Sequence, residues 1–302
     1  MANTPYVVVF SADTDQEKRK DANPESVFKK IVEEKPDRYI FGGDGPYSEN
    51  GKKWTKLIDK FHLKPIIKIS QGNHDWAESE DEQTEKDIEV WMPSLRETPE
   101  LDPNEKNWWK SKWIHSWQDR NVFFIVMNSS DLDIKFKRNH FNWVLKQLEV
   151  AKRLKSEGKI DWIFGIMHKP WYTLKTKHSP EVEVRKIYQP LFDEVGADFV
   201  LYGHNHDFQI WLPMISDATQ KFTRTTEDTY DFSLPHGQFH IVNGAGGHEI
   251  NKFKENWRDN ENVLWANDEE FSYTLFNIDG KICDVLTKNV KKETIFSIRV
   301  TK

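Results

Sequence analysis

Apolar residues along this chain follow two spacings. Short continuous runs, rich in β-branched and aromatic residues, recur through the first two thirds. They fall at 6–10 (YVVVF), 38–41 (RYIF), 65–70 (PIIKIS), 122–127 (VFFIVM), 162–167 (WIFGIM) and 198–202 (DFVLY). Runs of this length predict strands buried on both faces, as in a parallel or mixed sheet. Between them lie stretches with helical spacing. Residues 24–35 place Pro24 in a first turn and form an apolar stripe of Val27, Phe28, Ile31 and Val32. Residues 54–61, 142–154 and 182–195 read as further helices, the second with Trp143, Val144, Leu148 and Ala151 on one face. The order up to residue 70 is strand, helix, strand, helix, strand, which implies a sheet layered by helices. The last third alternates in strand fashion at 238–243, 272–278, 281–286 and 294–300, with Asp279-Gly280 as a hairpin turn.

Residues 76–118 break this rhythm. They are acidic at first (ESEDEQTEKD) and then aromatic and basic (NWWKSKWIHSW). An insertion that caps one end of the sheet is expected there, since a loop this long inside a compact domain usually serves a function. No repeat, low-complexity tract or linker divides the chain. The expected architecture is a single α/β domain over 1–302, a four-layer α/β/β/α sandwich with mixed sheets.

Composition narrows the classes. Charged residues make up 30%, but 13 tryptophans supply bulk that disordered chains lack. The formal net charge of −6 argues against a nucleic-acid backbone as the main partner. The single cysteine, Cys283, excludes an intrachain disulfide and a cysteine-based zinc site. No run approaches ~20 apolar residues, so no membrane-spanning helix is expected. The opening residues, MANTP, lack the basic region and apolar core of a signal peptide. A cytoplasmic location is expected if this N-terminus is native. Oligomeric state is not legible.

Each predicted strand leads into polar residues. After YVVVF come Asp13 and Asp15. After YIF come Asp44 and Tyr47, within GGDGPY. After PIIKIS come Asn73, His74 and Asp75. After WIFGIM comes His168, and after DFVLY come His204 and His206. α/β proteins build sites outside the carboxyl ends of their strands. Carboxylate, amide oxygen and neutral imidazole suit zinc, manganese or iron. A shared carboxylate can hold two cations about 3.5–4 Å apart, as in two-metal phosphoryl transfer. His204 and His206 flank Asn205 and would face one side of an extended segment. Taken singly, Asp13 and Asp44 also suit helix caps or turns. His178 and His248 are expected to be ordinary surface histidines, and 107–117 an insertion folded on itself.

In order along the chain, DTD, GGDGPY, GNHD, IMH and GHNH, followed by NGAGG at 243–247, resemble the calcineurin-like metallophosphoesterases. The Gly-Asp-x-x-Tyr pattern at 43–47, and the lack of a histidine two residues after Asp13, are similar to the purple acid phosphatase branch. The resemblance implies a metallophosphoesterase-like fold and a dinuclear metal centre. Asp13, Asp44, Tyr47 and His206 would hold one metal, typically ferric iron. Asp44, Asn73, His168 and His204 would hold the other, typically iron, zinc or manganese, with Asp44 bridging. His74 would bind phosphate or protonate the leaving group, so His74 and Asp44 are the implied catalytic residues. Asp15 stands where the branch has glycine. Asp15 and Asp75 are candidates for further ligands or for groups that hold a ligand in place. The implied activity is hydrolysis of small phosphate monoesters by attack of a metal-bound hydroxide. The alternatives are a phosphodiesterase for cyclic nucleotides or nucleic acid, and a metal-binding module without turnover.

Overall fold

Strands β1 (Tyr6–Ser11), β2 (Arg38–Phe41) and β3 (Ile67–Ile69) run parallel, joined through helices α1 (Pro24–Glu33) and α2 (Lys52–Lys60). The structure is a computed structural model and describes residues 5–14, 23–45, 52–75, 114–129 and 134–302. Asn23 caps α1 by accepting from the Ser26 amide at 3.2 Å, and Pro24 fills the first turn. Val27, Phe28 and Ile31 are buried as expected, whereas Val32 is 37% exposed at the edge of the stripe.

The chain continues through β4 (His115–Asp119), β5 (Val122–Val126), α3 (Ile134–Ser156), β6 (Trp162–Ile166), α4 (Val182–Val195) and β7 (Phe199–Tyr202). Nine more strands come after them among the described residues: β8 (Phe208–Ile215), β9 (Thr219–Gln220), β10 (Thr223–Thr226), β11 (Thr229–Asp231), β12 (Gln238–Asn243), β13 (Val263–Asn267), β14 (Ser272–Asp279), β15 (Ile282–Asn289) and β16 (Thr294–Thr301). One sheet has the order β10-β11-β16-β15-β14-β1-β2-β3. The other has the order β13-β8-β12-β7-β6-β5-β4, with β9 beside β8. Both sheets are mixed. β1 pairs antiparallel with β14, while β5, β6, β7 and β12 are parallel and are flanked by antiparallel β4 and β8.

Strand alternation sorts side chains into three cores. On β1, Tyr6, Val8 and Phe10 face the second sheet, while Val9 joins α1 and α2 on the outer side. On β6, Trp162, Phe164 and Ile166 face the first sheet, and Ile163 faces α3 and α4 with Leu148 and Phe192. Each central strand is buried on both faces, which is why its sequence reads as an unbroken apolar run. The layers are therefore helices, sheet, sheet, helices, the four-layer mixed α/β fold expected. No helix among the described residues is long and apolar enough to cross a membrane.

One correction concerns the expected insertion. Residues 115–118 belong to β4, paired with β5 from His115↔Val126 to Asp119↔Val122. The ring of Trp117 stacks on Phe124 with centroids 4.8 Å apart, so this part of the aromatic stretch packs the sheet. Residues 76–113 lie outside the described residues.

Polar contacts fasten the two sheets at the end where β1 and β7 begin. Tyr6 donates to Asp119 Oδ2 at 2.8 Å, and Trp162 Nε1 donates to the Gly280 carbonyl at 2.8 Å. Lys302 Nζ lies 2.6 Å from the buried Asp198 Oδ1.

Candidate metal centre

At the opposite end, the carboxyl ends of strands from both sheets converge and are stitched together by backbone. The Ala12 amide donates to the Asn243 carbonyl, Asp13 to Gly43 and Gly203 to His168, each at 3.0 Å. Asp13, Asp44 and His204 all have φ in the left-handed region, at 61°, 56° and 70°. Such conformations cost non-glycine residues roughly 1–2 kcal/mol each and persist where surrounding structure enforces them. Each of the three sits just after a strand and turns its side chain toward the others.

Asp13 is fully buried. Its Oδ2 accepts the His204 amide at 2.7 Å, and its Oδ1 lies 3.4 Å from His206 Nε2 and 4.0 Å from His168 Nε2. Asp44 Oδ1 accepts the His74 amide at 2.8 Å, and its Oδ2 is 3.1 Å from His168 Nε2. His168 Nδ1 stands 2.9 Å from the Gly42 carbonyl. That carbonyl can only accept, so Nδ1 carries a proton and Nε2 is aimed at the carboxylates. Asp44, His168 and His204 bring three ligand atoms within 4.8 Å of one another. Between Gly72 and His74, Asn73 Oδ1 is buried with no hydrogen-bond partner among the described residues.

The glycines make room for this approach. A Cβ on Gly43 (φ 97°) would stand 2.6 Å from the Gly72 amide and 2.8 Å from His168 Nδ1. A Cβ on Gly72 would collide with Asp44 Oδ1.

Charges in the site oppose one another. Burial pushes Asp44 up, but His168 beside it holds its carboxyl well below the usual carboxylate range. Burial pushes His168 down, and the Asp44 and Asp13 carboxylates overcome this and raise it to about 9. A cation beside these carboxylates would replace that proton. Burial, aided by the neighbouring histidines, holds His204 far below its usual value. Burial likewise lowers His206 to about 3. Both are thus neutral imidazoles, the form that ligates metals.

Among the residues expected from the sequence, Asp13, Asp44, Asn73, His168, His204 and His206 gather here. His74 is exposed. Its ring is close enough to Asp44 to lower that carboxyl's pKa. Asp75 is taken up by backbone: its two oxygens accept the amides of Asp44 at 3.0 Å, Gly45 at 2.9 Å and Gly72 at 2.6 Å. It clamps the β2 and β3 exits together, and burial and the Asp44 charge raise its pKa. Asp15 and Tyr47 lie outside the described residues.

Two histidines expected on the surface lie elsewhere. His248 is 3% exposed, with its Nδ1 3.1 Å from His206 Nδ1. His178 is half-buried, its ring centroid 4.0 Å from that of His204. The only sequence hint was that His248 comes after the glycine-rich turn, as strand-exit residues do.

Comparison with known proteins agrees with this architecture. Residues 8–208, about two thirds of the chain, match the family model for calcineurin-like phosphoesterases. The Arabidopsis thaliana protein named probable purple acid phosphatase 20 is 23% identical over 229 residues, covering 70% of this chain and 45% of that protein. Purple acid phosphatase 22 of the same plant is 22% identical, over 70% and 44%. The chain therefore spans less than half the length of these two relatives. The structure of the purple acid phosphatase PPD1 from yellow lupin aligns with a TM-score of 0.73 at 17% identity, over 99% of this chain and 54% of that one. Plasmodium GAP50, described as the anchor in the inner membrane complex, aligns at 0.67 and 14% identity, over 99% and 89%. Both share the fold. The matched segment runs from β1 to the start of β8 and contains every ligand candidate from Asp13 to His206, so the chain belongs to the calcineurin-like phosphoesterase family.

Proposed function

We propose that this chain is a metal-dependent phosphoesterase with a two-metal centre, acting on small phosphate monoesters as a purple acid phosphatase-like enzyme. One observation carries the reading. Asp44, His168 and His204 gather three ligand atoms within 4.8 Å, beside an Asn73 Oδ1 that is buried and unpartnered among the described residues. A buried amide oxygen without a donor calls for an explanation, and an ion supplies one. Carboxylate, amide oxygen and neutral imidazole fit iron, zinc or manganese. In this reading Asp44, Asn73, His168 and His204 hold one ion. Asp13, Asp44 and His206 hold the other, together with Tyr47. Two bound ions would supply positive charge for the phosphoryl oxygens and lower the pKa of water.

The chain's own groups do the rest. The Asp13–His204 hydrogen bond and the Asp75 clamp fix the ligand loops before substrate arrives, so little reorganisation is needed. His74, exposed beside Asp44, donates a hydrogen bond to the phosphate or a proton to the departing alcohol oxygen. Lys169 and Lys177 lie close enough to act on His204 and His206, with Glu181 and Glu249 standing 3.7 and 3.6 Å from their ammonium groups.

Hydrolysis of an aryl phosphate with added iron, manganese or zinc tests the reading. Asp44→Asn and His204→Ala should each lower kcat/KM by about 10²–10³-fold. Full activity in either variant would sink it. A higher kcat/KM on an aryl diester than on the monoester would replace the monoester assignment. Two bound ions without hydrolysis of either ester would leave a binding module.

A further inference from the structure

We propose that His248 is a positioning residue for His206, holding that ring in the tautomer and orientation a metal ligand needs; the inference rests on the two-metal reading above. His206 and His248 meet edge to face, with centroids 4.6 Å apart at 67° and Nδ1 atoms 3.1 Å apart. On its other side His206 presents Nε2 to Asp13 Oδ1 at 3.4 Å. Where two imidazole nitrogens share a hydrogen bond, the one that carries the proton donates and the other accepts. For Nε2 of His206 to offer its lone pair to an ion shared with Asp13, its proton must sit on Nδ1. His206 Nδ1 therefore donates and His248 Nδ1 accepts.

The acceptor is itself fixed. The His248 amide donates to the Asp13 carbonyl at 3.1 Å. Asp13, His206 and His248 thus close a ring of three contacts, in which the residue facing the ligand nitrogen also anchors the backbone of the residue behind it. Gly247, at φ 127°, lets the chain turn into this position, where a Cβ would strike Pro24. Metal-bound histidines usually donate their second N–H to a carboxylate or carbonyl. His168 keeps to that pattern through Gly42, whereas His206 uses an imidazole. Glu249 extends the cluster outward: its carboxylate lies within 4.8 Å of ligand atoms of both histidines and 3.6 Å from Lys177 Nζ.

Two variants separate this role from simple core filling. His248→Asn keeps an acceptor near the Nδ1 position, and His248→Leu keeps bulk without one. One of the two zinc ions should leave His248→Leu for a chelator about 10–100-fold faster than wild type, with His248→Asn within a few-fold of wild type. Equal release from His248→Leu and wild type overturns the inference and leaves the two-metal reading standing. Wild-type protein that takes up fewer than two zinc ions by elemental analysis overturns both. Should neither variant fold, nitrogen NMR of histidine-labelled, zinc-loaded wild type decides. A protonated His206 Nδ1 bonded to an imidazole nitrogen is expected, and an unprotonated one overturns the inference.

Discussion

The backbone amide of His204 donates a 2.7 Å hydrogen bond to Asp13 Oδ2, tying the exit of β7 in one sheet to the exit of β1 in the other. The bond is fully buried, and its acceptor is also a candidate ligand. Removing the acceptor strands a buried N–H, at a cost of about 1–3 kcal/mol. Asp13→Ala should lose that much stability in urea unfolding with chelator present. Asp13→Asn keeps an oxygen and tolerates φ 61°, so it should lose less than about 1 kcal/mol while still binding metal poorly. Equal losses in the two variants would count against the bond as the cause.

Asn73 allows the converse experiment. Its Oδ1 has no protein partner among the described residues, so truncation breaks no hydrogen bond at that atom. Asn73→Ala should change metal-free stability by less than about 1 kcal/mol. Metal content by elemental analysis should nevertheless fall. A large loss of metal-free stability with metal content intact would assign Asn73 to the scaffold instead.

Gly72 has no room for a side chain, because a Cβ there meets Asp44 Oδ1. Gly72→Ala should displace Asp44 and cost about 1–3 kcal/mol, the usual penalty of overpacking. Activity should fall with it. Calorimetry and turnover on one preparation check both, and a wild-type Tm would show that the loop yields.

His140 sets a pH dependence outside the ligand set. Its Nδ1 lies 2.6 Å from the Tyr188 hydroxyl, and its Nε2 accepts the Asn128 amide at 3.3 Å. Burial lowers it from 6.5 to about 4. As pH falls through 6.5 the unfolded chain takes up a proton here, while the folded chain resists until near 4. The unfolded state therefore binds more protons in that window, and stability falls with pH by up to about 1.4 kcal/mol per unit. Metal-free His140→Gln should lack that share of the slope between pH 6.5 and 5. Identical slopes for variant and wild type would rule this histidine out.

Sequence patterning revealed the ligand candidates because they come after strands: β6 and β7, before His168 and His204, are buried on both faces and write unbroken apolar runs, while β3, before Asn73, is short and interrupted by Lys68. Val182–Val195 and Gln238–Asn243 appear with the bounds expected from their periodicity. Strands without such a run were hidden. β10 and β11 read as TRTT and TYD, and β10 is largely exposed, so no apolar alternation marks it. β8 is apolar (FQIWLPMI) but contains Pro213, a residue that argues against a strand interior. His248, expected at the surface, is buried in contact with His206, 42 positions away, and only its place after the glycine-rich turn hints at this locally.

The two ends of the sandwich are closed by different chemistry. Where β7 begins, Lys302 reaches across to Asp198, and Tyr6 reaches Asp119. Where it ends, the fastening is a cluster of carboxylates and imidazoles, of which His204 and His206 are held neutral and His168 carries the proton that a bound cation would displace. A chelator should therefore act as a zip puller. Amide exchange should quicken from His204 to Asp207 and stay slow at Phe199 and Val200, so that the molecule opens from the end that carries the candidate ligands while its base stays shut.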